Sequence, residues 1–182
     1  MGDDAGRYRR FLDGDDNGLV EIIDAYHESL TLFLNSFVQD PSLAEELMQE
    51  TFVRLATKKP PFRGRCSFKT WLFTIARNCA IDYLRKNRRL VSLDEQETLP
   101  DDTDIEREYL REEQKRILHK ALRQIRPDYA QALYLMYFED FDTEGISKVM
   151  HKTKRQVSNI LYRAKQALRT ELERVGFQYE DD

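Results

Sequence analysis

The chain has 182 residues, 41% of them hydrophobic and 34% charged, and its formal net charge is −4. Seven glycines and five prolines are too few for a loop-rich β protein, so the composition favours a soluble all-α fold of one domain or two small ones. No apolar run is long enough to span a bilayer, and residues 1–11 lack a signal-like apolar stretch, so we expect a cytoplasmic protein without membrane contact.

Charge divides the chain into blocks. Residues 1–50 hold twelve acids and three bases, 58–89 ten bases and one acid, 92–113 ten acids and two bases, and 148–174 eight bases and two acids. Such concentrated positive charge in an acidic protein indicates polyanionic partners at two surfaces. We expect two small helical domains, 1–90 and 113–182, joined by an acidic flexible linker at 91–112.

The first two predicted helices lie in the acidic N-terminal block. Apolar residues recur at spacings of three and four between Leu19 and Phe37, which indicates one amphipathic helix. A second helix is predicted from about Leu43 to Thr57, with Ser42 and Glu45 as a capping box. One face of that helix is polar: Glu45, Glu46, Gln49 and Glu50. Such a face is usually only solvated, and the alternative is a docking surface for a basic helix of another protein.

The basic block 58–89 combines positive charge with aromatic residues. Ser67 is predicted to cap a third helix that buries Phe68, Trp71 and Tyr83, whereas Phe73 lies off that stripe and is a candidate for exposure. Aromatic side chains beside phosphate-binding cations suit single-stranded or melted nucleic acid. The two cysteines in this block have no second pair, so they are interpreted as reduced thiols, and the sequence predicts neither a metal site nor a cofactor.

The C-terminal block is predicted to form further helices that end in a helix-turn-helix. Apolar stripes follow residue 117, and one of them includes Tyr137 and Phe138. A short helix is predicted over 142–150, and Thr153 caps a longer one. The outer face of the longer helix carries base-reading side chains: Lys154, Arg155, Ser158, Asn159, Tyr162 and Arg163. The alternative is an ordinary basic surface helix.

Four motifs in order resemble the sigma-70 family of RNA polymerase sigma factors, in its extracytoplasmic function (ECF) group. Residues 43–52, LAEELMQETF, resemble the family's motif for docking on the polymerase β′ coiled coil. Residues 62–64, Phe68, Trp71-Leu72 and 75–78 resemble its signature for the −10 element. Asp82, Arg85 and the Arg88-Arg89 pair lie where the family has similar groups. The helix-turn-helix and the closing residues 163–168 resemble its −35 reader, and the acidic stretch between them has a family-like length.

The resemblance implies a transcription initiation factor rather than an enzyme. Its expected partners are core RNA polymerase (β′ coiled coil and β flap), promoter DNA and an anti-sigma factor. Glu45, Glu46, Gln49 and Glu50 would bind polymerase, and the six helix-turn-helix residues named above would bind −35 DNA. The expected −10 residues are Phe62, Arg63, Arg65, Phe68, Lys69, Arg77, Asn78, Arg85, Lys86, Arg88 and Arg89.

Two positions depart from the family pattern in the helix-turn-helix. The usual Glu-Ile-Ala triplet is Gly145-Ile146-Ser147, and the usual glycine of the turn is His151. A non-glycine residue at positive φ is strained, so either His151 tolerates that conformation or the turn differs.

Two rival functions are weaker. A stand-alone helix-turn-helix regulator usually has a dimerisation helix or a ligand pocket, and neither shows in the sequence. A nucleic-acid enzyme would need a catalytic or metal cluster, but the three histidines, His27, His119 and His151, lie in separate segments.

Overall fold

The computed structural model describes residues 3–87 and 117–174, without the side chain of Phe37. Every regular element in these ranges is a helix, so the predicted all-α class is confirmed, and none of these helices is long and apolar enough to cross a membrane. The N-terminal module, residues 3–87, contains α1 (Asp4–Leu12), α2 (Asn17–Val38), α3 (Pro41–Lys58) and α4 (Phe68–Asn87). The C-terminal module, residues 117–174, contains the helical segment 117–124, α5 (Pro127–Tyr137), α6 (Thr143–Met150) and α7 (Lys154–Arg174).

The predicted linker 91–112, together with Arg88 and Arg89, lies outside the described residues, so the domain boundaries stay a prediction.

Helix α1 is absent from the sequence-based prediction. Asp3 caps it by accepting a hydrogen bond from the Gly6 amide at 2.9 Å, and Tyr8 and Phe11 are buried. The Tyr8 hydroxyl donates to the carbonyl of Pro60 at 2.8 Å, which ties this helix to the loop before α4. The sequence contains two indications of this helix, an aspartate cap and two aromatic residues three positions apart. Six charged residues among the first thirteen make this apolar pattern hard to recognise.

Two helix caps test the local predictions. Helix α3 begins at Pro41, and its cap is Asp40, whose carboxylate accepts from the Leu43 amide at 3.0 Å, so the predicted Ser42–Glu45 capping box is wrong. The aspartate precedes the proline that fixes the first helical φ angle, which is the favoured arrangement for a helix start. The Ser67 cap is confirmed: its hydroxyl accepts from the Thr70 amide at 3.1 Å.

The two modules share one hydrophobic core. The Phe73 ring is 5.1 Å from Phe33 of α2 and 5.4 Å from Phe141 of the C-terminal module, between ring centroids. Phe73 is 0% exposed, so the expected exposure of this side chain is wrong. The apolar stripe of α4 predicted contacts within one module only, whereas α4 is covered on a second face by α6.

Three other aromatics lie closer to solvent than their stripes predict. Tyr137 and Phe138, at the end of α5, are 57% and 49% exposed, and Tyr83 of α4 is 37% exposed. The Lys165 ammonium sits 5.5 Å from the Tyr137 ring centroid, and Phe138 stacks on Tyr134 with ring centroids 5.2 Å apart. These rings therefore cover the rim of the core rather than fill it.

Phe73→Ala should lower the free energy of unfolding by about 3–5 kcal/mol, because it removes a fully buried ring that touches both modules. Tyr83→Ala on the same helix is the control and should cost less than about 1 kcal/mol. Urea unfolding followed by far-ultraviolet circular dichroism measures both values. Equal losses from the two variants would contradict the placement of Phe73 in the shared core.

Candidate nucleic-acid interface

The helix-turn-helix is built from two capped helices and one left-handed turn. The Asp142 carboxylate accepts from the Gly145 amide at 2.7 Å and starts α6. Thr153 and Gln156 cap α7 reciprocally: the Gln156 amide donates to the Thr153 hydroxyl at 3.2 Å, and the Thr153 amide donates to the Gln156 side chain at 2.9 Å. Between them His151 has a φ of 52°, in the left-handed region. Both predicted helices and the predicted threonine cap are present, and the histidine adopts the conformation that the family's glycine would take.

The glycine at position 145 has a packing reason. A Cβ atom on Gly145 would lie 2.7 Å from the ring of Phe141, closer than real Cβ atoms come. Phe141 is the ring that touches Phe73 of the other module. Glycine at the first position of the family's Glu-Ile-Ala triplet therefore leaves room for the Phe141 ring in the shared core.

The outer face of α7 is open to solvent. All six predicted −35 residues are exposed, and Tyr162 is the most exposed large hydrophobic residue of the described chain, at 68%. The opposite face buries Val157, Leu161 and Ala164. The structure thus brings the six residues to one free helical surface of the kind that enters a major groove.

Glu144 forms an ion pair with one of these six residues, Lys154. Its carboxylate accepts from Lys154 at 2.9 Å and from Lys148 at 3.0 Å. These hydrogen bonds, first that of Lys154 and then that of Lys148, lower the pKa of Glu144 to about 2. Sequence reasoning did not single out Glu144, although its spacings of four and ten residues to the lysines are visible in the chain.

The polar face of α3 is turned to solvent. Glu45, Glu46, Gln49 and Glu50 are all exposed, and Glu50 accepts a hydrogen bond from Arg54 at 3.0 Å. The leucines Leu47 and Leu55 fill the core on the other side of the helix. This geometry offers three carboxylates and an amide to a partner.

The predicted −10 residues fall into groups. Four are exposed cations on the loop before α4 or at its end: Arg63, Arg65, Arg85 and Lys86. Phe62 is half-buried and packs edge-on against Phe68, with centroids 5.5 Å apart. Phe68 itself is 6% exposed, between Tyr8, Phe62 and Trp71, so its ring is not open to a base in this arrangement.

Trp71 is half-buried against the same rings, which agrees with its expected packing role. It also lines a cleft between the modules, opposite Ser147 and Lys152 of the helix-turn-helix.

Comparison with known proteins identifies the family. A model of sigma-70 region 2 matches residues 22–90, and a model of sigma-70 region 4 matches residues 115–168. The ECF RNA polymerase sigma factor SigX of Bacillus subtilis (strain 168) is 30% identical over 173 residues, which cover 88% of this chain and 87% of the relative. SigM of the same organism, also an ECF RNA polymerase sigma factor, is 30% identical over 156 residues, covering 82% and 91%.

The chain belongs to the ECF group of the sigma-70 family.

Solved structures agree on the fold of this sigma factor. The sigma factor RpoE from Bartonella quintana, in complex with the anti-sigma factor NepR, superposes with a TM-score of 0.68 at 22% identity and covers 84% of this chain and 95% of its own. CnrH, in complex with the cytosolic domain of CnrY, gives a TM-score of 0.67 at 17% identity and covers 93% and 97%.

Three further predicted −10 residues of the sigma factor contact the C-terminal module, and two of them are cations. The Lys69 ammonium lies 2.8 Å from the buried carboxylate of Glu139 and 2.9 Å from its carbonyl oxygen. The Arg77 guanidinium donates to the side-chain oxygen of Gln131 at 2.9 Å. The partners Glu139 and Gln131 were not predicted, because one acid and one amide after apolar residues carry no signal of a contact about 55 to 70 residues away.

The third of these residues, Asn78, meets the turn of the helix-turn-helix. Its side-chain oxygen is 3.2 Å from Nε2 of His151. The family's usual glycine at this turn has no side chain to make such a contact.

Glu144→Gln in this sigma factor should release Lys154 and Lys148 for phosphate. The logarithm of the affinity for mixed-sequence duplex DNA should then fall more steeply with the logarithm of salt concentration, by about 0.9 for each lysine that reaches a phosphate. Fluorescence anisotropy across a salt series measures the slope. Asp24→Asn removes the same charge at an exposed position of α2 and is the control; the same slope for Glu144→Gln and the control would show that neither lysine reaches DNA.

Proposed function

We propose that this ECF sigma factor docks on core RNA polymerase through α3 and reads promoters with two surfaces, the α4 region at −10 and α7 at −35. The observation that carries the proposal is the exposed face of α7, which has six base- or phosphate-binding side chains and lies within the matched region 4. The division into domains 1–90 and 113–182 with a linker at 91–112 belongs to the same proposal. We expect no enzymatic activity, no cofactor, and action in the cytoplasm.

The docking step would use the polar face of α3. The carboxylates of Glu45, Glu46 and Glu50 need a basic partner helix to offset their loss of hydration, and the resemblance points to the β′ coiled coil. The exposure of these residues and of Gln49 supports this role, because an unburied face is free to bind without refolding. The β flap would bind the C-terminal module.

The −10 step would capture an unpaired base. Extrusion from the duplex costs a few kcal/mol, and stacking on an aromatic side chain returns about 1–3 kcal/mol. Phe62 and Asn78 are the candidates for that contact, and the Phe68 ring packs edge-on against Phe62. The cations of this region would bind phosphates, which adds salt-dependent affinity rather than sequence choice: Arg63, Arg65, Lys69, Arg77, Arg85, Lys86, Arg88 and Arg89.

The −35 step would place α7 in the major groove. Arg155 and Arg163 can form bidentate contacts with guanine and Asn159 with adenine, each worth about 1–3 kcal/mol of discrimination. Because these contacts are few, α7 alone would bind the −35 element weakly. Promoter recognition would therefore need both modules bound together on polymerase.

An anti-sigma factor would regulate this chain. The support is that RpoE, which shares the fold, was solved in complex with the anti-sigma factor NepR.

Charge reversal at Glu46 and Glu50 tests docking. The purified chain should co-elute with bacterial core RNA polymerase at submicromolar concentration, and Glu46→Lys with Glu50→Lys should weaken binding about 100-fold or more, because like charges would face each other. Asp13→Lys with Asp16→Lys makes the same charge change at exposed positions between α1 and α2 and should leave binding intact.

Failure of the unmodified chain to bind core polymerase, together with tight duplex binding by the chain alone, would favour the stand-alone regulator. Normal binding by the Glu46 and Glu50 variant would refute the docking face only.

Asn78→Ala tests the melted-base role. It should reduce promoter opening about tenfold, the equivalent of roughly 1.4 kcal/mol of lost base contact, with little effect on the closed complex. Permanganate footprinting measures opening, and gel mobility measures closed-complex binding. His151→Gly loses the same contact between modules but keeps Asn78, so it separates the two effects; an equal loss of opening in both variants would argue against base capture by Asn78.

A further inference from the structure

We propose that in the free sigma factor the C-terminal module is a latch on the −10 residues, with Glu139, Gln131 and His151 holding Lys69, Arg77 and Asn78. This inference rests on the proposed function, because it assigns a regulation to the same −10 surface. It concerns the chain by itself and needs no anti-sigma factor.

The first latch contact is the binding of Lys69 by Glu139. Lys69 is bound twice, through the carboxylate and the carbonyl oxygen of Glu139, and its ammonium also lies 5.4 Å from the centroid of the Phe141 ring. Glu139 is 9% exposed and takes a further hydrogen bond from the Tyr134 hydroxyl at 3.1 Å. A DNA phosphate that binds Lys69 must therefore compete with this buried carboxylate for the ammonium.

The second and third contacts extend the latch along α4. The Arg77 guanidinium donates to Gln131, which is itself buried. Nε2 of His151 contacts the side-chain oxygen of Asn78. In the proposed function, that oxygen would otherwise be available to an extruded base. All three holding residues belong to the C-terminal module, and all three held residues belong to α4 of the N-terminal module.

DNA geometry requires this arrangement to open. Elements centred near −10 and −35 are about 25 base pairs apart, which is about 85 Å at roughly 3.4 Å per base pair. The turn of the helix-turn-helix is in hydrogen-bond contact with a −10 residue. The closed chain therefore cannot place its modules on both elements, and the latch must release before promoter recognition is complete.

The contacts of α4 with the C-terminal module include one that opposes the closed state and one that favours it. The Arg77 guanidinium is half-buried and donates to an amide rather than a carboxylate, and this partial burial lowers its pKa, with Asp128 in opposition. A half-buried cation whose hydrogen-bond partner is a neutral amide opposes the closed state, whereas the apolar contact of Phe73 with Phe141 favours it. A ligand that offers phosphates to Lys69 and Arg77 binds only the open state and shifts the population toward it.

The histidine in the turn fits the same mechanism. Its positive φ is a strained conformation that glycine would adopt freely, so position 151 carries a conformational cost in the helix-turn-helix itself. What the His151 ring adds is a contact with Asn78 across the modules, which a glycine could not make. The latch thus accounts for the departure from the family's glycine.

The experiment uses the full chain without polymerase. The variants are His151→Gly, Glu139→Gln and the two combined, and Asp24→Asn on the exposed side of α2 is the control for the charge change at Glu139. The ligand is a fluorescein-labelled, mixed-sequence, single-stranded DNA of about 20 nucleotides, a length chosen to cover more than one binding site. Anisotropy gives the affinity and its salt dependence.

Trp71 gives a second readout that needs no DNA. It is the single tryptophan of the chain and lines the cleft between the modules. Opening of the cleft should increase quenching of its fluorescence by acrylamide, a neutral quencher that is insensitive to the charge change.

We expect the combined variant to bind the single strand about tenfold more tightly than the unmodified chain. Its salt slope should be steeper by about 1.4, for two released phosphate-binding cations at about 0.7 each. Acrylamide quenching should rise with it, and the control should match the unmodified chain in both measurements.

Three outcomes would overturn the latch: unchanged affinity and quenching in the combined variant, an equal gain in Asp24→Asn, or tighter binding without greater quenching. His151→Gly keeps the test valid if Glu139→Gln fails to fold, since glycine favours the turn conformation. Core polymerase binding is scored separately. Normal polymerase binding with no opening in the variants would refute the latch alone, whereas opening without polymerase binding would refute the proposed function.

Discussion

The packing of Phe73 between Phe33 and Phe141 is the interaction on which the closed structure depends. One ring of α4 is buried on both sides, by α2 of its own module and by the segment that leads into α6 of the other. Burial of one aromatic ring contributes about 1.5–3 kcal/mol, and Phe33 also contacts Tyr134 of α5. The two modules therefore share a core that neither could complete alone in this arrangement.

This shared core determines the electrostatics of α4. Once Phe141 covers Phe73, the polar neighbours on that side of α4 also lose part of their contact with water, which favours a hydrogen-bond partner for each. Lys69 finds a carboxylate and Arg77 finds only an amide. The same side chains would bind phosphates, so the surface that packs against the second module is also the surface proposed for DNA. In the proposed function, packing and DNA binding would therefore compete for these two cations.

Much of the fold could be predicted from local patterns, and the failures share a cause. The Ser67 and Thr153 caps and the open face of α7 follow from residue types at fixed spacings within one helix or turn. The burial of Phe73 and the partners of Lys69 and Arg77 depend on a second module that packs on α4 from far along the chain. A helical stripe indicates that a face is buried, but it does not show that a second face will be buried too.

The two surfaces proposed to read DNA differ in the closed chain for a physical reason. The outer face of α7 is mostly polar, so it gains little from burial, and all six of its predicted residues stay exposed. The α4 surface mixes Phe73 with cations, so the apolar contact draws the cations into the interface with it. Closure therefore engages three of the predicted −10 residues, Lys69, Arg77 and Asn78, and leaves the six predicted −35 residues free. In the proposed function, the chain by itself would keep α7 available for duplex DNA, whereas Lys69, Arg77 and Asn78 would become available to single-stranded DNA only after the modules separate.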